Sequence, residues 1–178
     1  MMLLRLLPWA LWLGMLVLAL GTFAGLPDEI PRHIGASGKV TRSVPTTLGG
    51  WLLLPMIAGA MQLLLSWVSI WLLPRRPDLF NVPDKDRLMK LPPSYRRSVV
   101  PSMQMTLDAI AVCTMAVMVT VQLMLWRAAL GERMQGWTAG LIVGTVMITP
   151  LALWLTSKVS TAIEDAERRW KAAGSPAA

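Results

Sequence analysis

A chain of 178 residues in which 54% are hydrophobic and only 15% charged carries more apolar surface than an ordinary soluble domain can bury, and its mean hydropathy of +0.53 agrees. The formal net charge of +7 does not point to nucleic acid, because the basic residues lie in short segments flanking apolar runs rather than on one basic face. Glycine-rich phosphate loops, nucleophile elbows and paired histidines at metal-ligand spacing are all missing from the sequence, which argues against an enzyme and against a resident cofactor.

Crossing a hydrocarbon core of about 30 Å takes about 20 helical residues. Four segments qualify: 6–25, 48–73, 106–126 and 137–157. The chain is therefore expected to be an all-α, polytopic membrane protein, a single domain of four transmembrane helices with short helices in one loop and in the tail. The first segment also resembles a secretory signal, with Arg5 before it and Ala19 and Gly21 near its end. Its apolar run is too long for a typical signal core, so an uncleaved helix is expected.

Segment 26–47, LPDEIPRHIGASG onward, holds the only histidine, His33, close to Asp28 and Glu29. That set is oxygen-rich and poorly matched to zinc, so no metal site is expected there. Pro27 and Pro31 each fix their own φ and push Leu26 and Ile30 to extended geometry, while Gly35 and Gly38 permit turns. A stiff connecting loop is expected. A weaker reading makes His33 an acid/base residue with Asp28 or Glu29, which requires it to point into a pocket beside a carboxylate.

Within 48–73, Pro55 is expected to kink the helix and Gln62 to reach across to a neighbouring helix. Segment 74–105 carries Pro83 followed by Asp84 and Asp86, a helix-start pattern, and Pro92 and Pro93 close that short helix and begin the next. That next helix is expected to run into the third span with a bend near Pro101. Asp108 is the one ionisable residue inside a span, expected to form an ion pair with Arg96 or Arg97. Met103, Met105, Met115 and Met118 near the lone Cys113 suit Cu(I) by softness, but methionine is equally an apolar filler, and no copper site is expected.

In the fourth span Pro150 is a second kink, and Gly136, Gly140 and Gly144 recur every four residues, as Gly21 and Gly25 do in the first; the two helices are expected to meet there. The tail, 158–178, places Val159, Ile163, Ala166 and Trp170 on one stripe and is expected to extend the fourth span and lie near the lipid headgroups.

Orientation follows from the basic residues, which collect on the cytoplasmic side. Arg5, then Arg75, Arg76, Lys85, Arg87, Lys90, Arg96 and Arg97, then Lys158, Arg168, Arg169 and Lys171 make twelve, against five in 26–47 and 127–136. Both termini and loop 74–105 are expected inside, with 26–47 outside. Trp51, Trp126 and Trp137 then mark the outer headgroup level and Trp9, Trp67, Trp71 and Trp154 the inner one.

Leu26, Pro27, Ile30, Pro31, His33 and Gly38 resemble the signature of the DUF1648 family of bacterial membrane proteins, with Ile34 standing where the family has an aromatic and Thr41 where it has an aspartate. Asn81, Pro83, Lys85, Leu91, Pro92 and Pro93 resemble a second signature of its longer members. The resemblance implies a bacterial cytoplasmic-membrane protein related to SdpI-like immunity proteins, which protect a cell from a secreted toxin peptide. It makes Pro27, Ile30, Pro31, His33 and Gly38 the candidate recognition loop and Asn81, Pro83 and Lys85 a candidate cytoplasmic motif. The expected partners are the bilayer and a secreted peptide or another membrane protein. The alternative is a small transporter or ion-handling subunit in which Asp108 and Gln62 line a cavity opened by Pro55 and Pro150.

Overall fold

A computed structural model describes residues 2–174. Their order is α1 (Met2–Phe23), β1 (Glu29–Ile34), β2 (Val40–Pro45), α2 (Leu48–Arg75), α3 (Lys85–Lys90), α4 (Pro93–Ala129) and α5 (Gln135–Ala172). The molecule is mostly helical, and α1, α2, α4 and α5 are each long and apolar enough to cross a membrane. Most of the apolar surface of these four helices faces outward: Leu13, Val17, Met56, Leu63, Val146, Met147 and Leu153 are all exposed. Outward apolar residues over four such helices are what lipid, not water, would solvate, and the chain is a multi-pass membrane protein.

Successive helices run antiparallel, so β1 and β2 lie at one end of the bundle and α3, with the start of α1 and the close of α5, at the other. α1 packs on α2 and α4, α2 on α4, and α5 mainly on α4. The expected glycine contact between the first and fourth spans does not form. An added Cβ would meet nothing at Gly21, Gly136, Gly140 or Gly144. The one close approach in the bundle is at Gly59 on α2, where a Cβ would lie 2.6 Å from the indole nitrogen of Trp12. That nitrogen donates to the Pro55 carbonyl at 3.0 Å, so the kink proline and the glycine together seat the Trp12 ring.

The ends of the helices follow local chemistry. Thr47 caps α2, its hydroxyl accepting from the Gly50 N–H at 3.1 Å. α4 closes with Gly131 at φ +81, the Gly131 N–H bonded to the Ala128 carbonyl and the Glu132 N–H to that of Arg127, a Schellman pairing. Near its far end α2 departs from regular winding: Val68–Leu72 forms a π-helical turn in which the Leu73 N–H reaches back to the Val68 carbonyl.

Segment 26–47 corrects the all-α expectation, because it contains an antiparallel hairpin. The Thr46 N–H donates to the Asp28 carbonyl at 2.8 Å, and the alternation of an antiparallel ladder then puts Pro31 and Pro45 at positions whose N–H would point away from the partner strand. Neither proline removes a ladder bond, which is why strands form where a proline-stiffened loop was expected. Ile30 and Val44 are paired across the strands and turned toward the bundle, where Ile30 packs with Ala19 and Trp51. Trp51 in turn donates to the Ala19 carbonyl at 2.8 Å.

α4 and α5 are each about 55 Å long, well beyond the hydrocarbon thickness. Their excess lies at the α3 end and builds a small core from Leu73, Leu88, Leu91, Val99, Met103, Val159, Ile163 and Ala166, with Trp170 against it. The tail continues α5 as an extension of the fourth span, and its apolar stripe is covered by α3 and α4. Glu167 on α5 reinforces this packing by accepting from Arg87 of α3 at 2.7 Å and from Lys171 at 2.6 Å. Lys171 and then Arg87 hold its carboxyl down at about 2. A lowered carboxylate pKa contributes stability that is complete above the unfolded value near 4.5 and is lost as pH falls through about 2. Hydrogen exchange of the α3 amides should therefore stay protected at pH 4 and open below pH 3, and Glu167→Gln should abolish that pH dependence.

Candidate functional site

Two places combine polar chemistry with fixed geometry: the hairpin, and a polar cluster inside the bundle near its α3 end. On the hairpin, Ile30 and Pro31 are buried, and Gly38, at φ +75, lies against the backbone of Met134 and Gln135 where α5 begins. Pro27 contributes its carbonyl, which accepts from the Thr46 hydroxyl at 2.5 Å. Of the five predicted recognition residues, three therefore fasten the hairpin to the bundle, Pro27 ties its two ends together, and His33 remains exposed on its surface. The His33 Nδ1 is hydrogen-bonded to the Thr41 hydroxyl, which also reaches the His33 carbonyl at 3.3 Å. Among the described residues no carboxylate bonds to His33, so the acid/base pairing with Asp28 or Glu29 does not form. Arg32, Lys39 and Arg42 are exposed with it.

Asn81, Pro83 and Lys85 do not converge. Asn81 and Pro83 edge a cavity of about 200 Å³ whose walls include Leu73, Met103 and Val159; Lys85 lies outside it, at the start of α3.

Asp108 is 8% exposed, and its carboxylate accepts from Arg5 Nε at 2.9 Å and from the Ser69 hydroxyl at 2.9 Å. The partner is thus Arg5 on α1, not Arg96 or Arg97. Those two sit on the same helix as Asp108, 11 or 12 residues earlier, about 17 Å along the axis and out of reach. Arg96 instead donates to the Leu91 carbonyl at 2.8 Å. Arg5 lies at the right level because α1 runs antiparallel to α2 and its first turns stand beside the π-helical turn.

That turn sets the rest of the cluster. It presents Ser69 on two sides at once, the hydroxyl to Asp108 and the backbone carbonyl to Gln104 Nε2 at 2.7 Å. Gln62 lies two turns earlier on α2 and donates to Ser66 at 3.1 Å rather than across to another helix, while its buried Oε1 has no partner among the described residues. Arg5, Gln62, Ser66, Ser69 and Asp108 line one cavity of about 260 Å³, walled elsewhere by Trp9, Leu65 and Ile70.

Arg5, Ser66, Ser69 and Gln104 were not legible as site residues. Arg5 reads as a topogenic charge and the serines as tolerated polar residues in a span. The methionines near Cys113 separate: Met115 packs with Met15 and Ala58, whereas Cys113 faces Gly140 and Gly144 of α5. Among the described residues no three His, Cys, Asp or Glu side chains gather as a metal site. Comparison with protein-family models, curated proteins and solved structures finds no match to this chain.

Proposed function

We propose that the chain is a non-enzymatic membrane protein of the DUF1648 type that recognises a secreted or envelope peptide through its hairpin, in the manner of toxin-peptide immunity, from a bacterial cytoplasmic membrane with both termini inside. The basic residues support this orientation. Arg75 over Trp71 and Lys158 over Trp154 at one end of the bundle, and Arg127 over Trp126 at the other, suit headgroup levels at both ends.

The observation that carries the reading is the mounting of the hairpin. Ile30 and Gly38 anchor it at two points, so His33, Arg32 and Arg42 project from a support that loses little entropy when a partner binds. His33 and Thr41 are already ordered by their mutual hydrogen bond.

The test expresses the protein in sensitive bacteria challenged with peptides secreted by neighbouring strains. Wild type should protect, and Arg32→Gln/His33→Ala should lose protection by tenfold or more at equal membrane level, about what one or two lost polar contacts imply. Equal survival with and without the wild-type protein would end the immunity reading.

A second reading, ion or proton handling, is favoured by the cavity that Arg5, Gln62, Ser69 and Asp108 share. It requires that proteoliposomes of the wild type pass protons or small cations and that Asp108→Asn stops them. Absence of flux in the wild type removes it.

A further inference from the structure

At the α3 end, the close of α2 and the start of α4 enclose a second concavity, of about 640 Å³. Arg75, Arg96 and Arg97 line it, and Pro74, Pro77 and Pro93 give it stiff walls. Among the described residues none of these arginines meets a carboxylate. Asp78, next to Pro77 in the wall, is already engaged by Arg76 at 2.9 Å. Three uncompensated guanidinium groups around one hollow repel one another unless an anion joins them.

The arginines are also partly held in place. Arg75 stacks on Trp71 at 4.3 Å and donates through Nη1 to the Trp71 carbonyl at 3.0 Å, and Arg96 is fixed through Nε. Their remaining N–H groups are available in the forked geometry that suits phosphate oxygens. The start of α4, a 37-residue helix without a side-chain cap, adds the positive end of its dipole. Trp71 places the hollow at the level where headgroups lie.

We propose that this hollow is a binding site for a phosphate-bearing anion, presented either by the headgroup of an anionic phospholipid or by a soluble phosphate compound. The site depends on the chain spanning a membrane and is independent of what the hairpin recognises.

Native mass spectrometry of the full chain in detergent tests it, with short-chain phosphatidylglycerol as probe and phosphatidylcholine of the same chain length as control. Wild type should retain phosphatidylglycerol preferentially. Arg75→Gln/Arg97→Gln should weaken retention by about tenfold or more, the effect of removing two basic side chains at a lipid headgroup, whereas Arg168→Gln/Arg169→Gln on the exposed tail should change it less than about twofold. Competition by millimolar inorganic phosphate assigns the soluble source, and its absence assigns the lipid. Arg97→Gln alone, whose side chain makes no hydrogen bond or ion pair among the described residues, serves if the double variant does not fold. Equal weakening by the two double variants, or equal retention of the two lipids by wild type, would overturn the site.

Discussion

Arg5→Ala should destabilise the bundle by about 2–3 kcal/mol, measured by reversible unfolding in mixed micelles. The substitution leaves the Asp108 carboxylate, 8% exposed, with Ser69 as its one remaining hydrogen-bond partner, and a buried charge stripped of its counter-charge costs several kcal/mol. The Arg5 side chain is 34% exposed, which screens part of the interaction and keeps the figure below that of a wholly buried pair. The loss should be local, because Arg5, Ser69 and Asp108 join α1, α2 and α4 at one level. Arg5→Met/Asp108→Leu removes both charges together and should recover most of the stability, since a buried pair is often replaceable by apolar side chains of similar volume. Recovery of folding in the double variant with loss of any ion flux would mark the pair as functional as well as structural.

Gly38→Ala should cost about 3 kcal/mol or more, combining left-handed backbone strain with a steric clash. Gly38 is held at φ +75, and a Cβ there would stand 2.3 Å from the Gln135 nitrogen, 2.6 Å from its Cα and 2.7 Å from the Met134 carbonyl carbon. All three are backbone atoms, so either the hairpin or the start of α5 must move. Two comparisons separate the contributions. Gly131 has φ +81 with nothing near its Cβ position, so Gly131→Ala reports strain alone, about 1–2 kcal/mol. Gly35→Ala would make only an ordinary contact, 3.4 Å from the Thr41 methyl, and should lie within about 0.5 kcal/mol of wild type. Thermal unfolding in detergent, with hydrogen exchange over 29–45, distinguishes the three.

The four long helices are readable from the sequence because lipid demands a property that composition reports directly, sustained apolar length. Helix packing is another matter. Spaced glycines promise close approach, yet Gly136, Gly140 and Gly144 have open space before them, while the unremarked Gly59 takes the Trp12 ring. Spacing says where a backbone is accessible, not which neighbour arrives. The hairpin was hidden by Pro31 and Pro45, although Val40, Thr41 and Val44 carried a strand signal; the ladder accommodates both prolines at positions that need no N–H.

Asp108 was singled out in the sequence as the ionisable residue inside a span, but its partner was sought on the wrong element. The helix expected from Pro93 into the third span does form, and its own rise carries Arg96 and Arg97 out of reach along the same axis, so the partner had to come from another helix, α1. The π-helical turn that aims Ser69 at Asp108 has no residue signature of its own; it arises from packing among α1, α2 and α4. His33 was legible as the residue to test and is left exposed, while Ile30, Pro31 and Gly38 serve to mount it.

Recognition by the hairpin requires it to face the outside while the α3 end faces the cytoplasm. Labelling with a membrane-impermeant maleimide in intact cells tests this in a Cys113→Ala background, with single cysteines at the exposed positions Ser37 and Ala173. Ser37→Cys should react before permeabilisation and Ala173→Cys only after it. Reaction of Ala173→Cys in intact cells, with Ser37→Cys protected, would place the hairpin inside and contradict the proposed recognition of a secreted peptide.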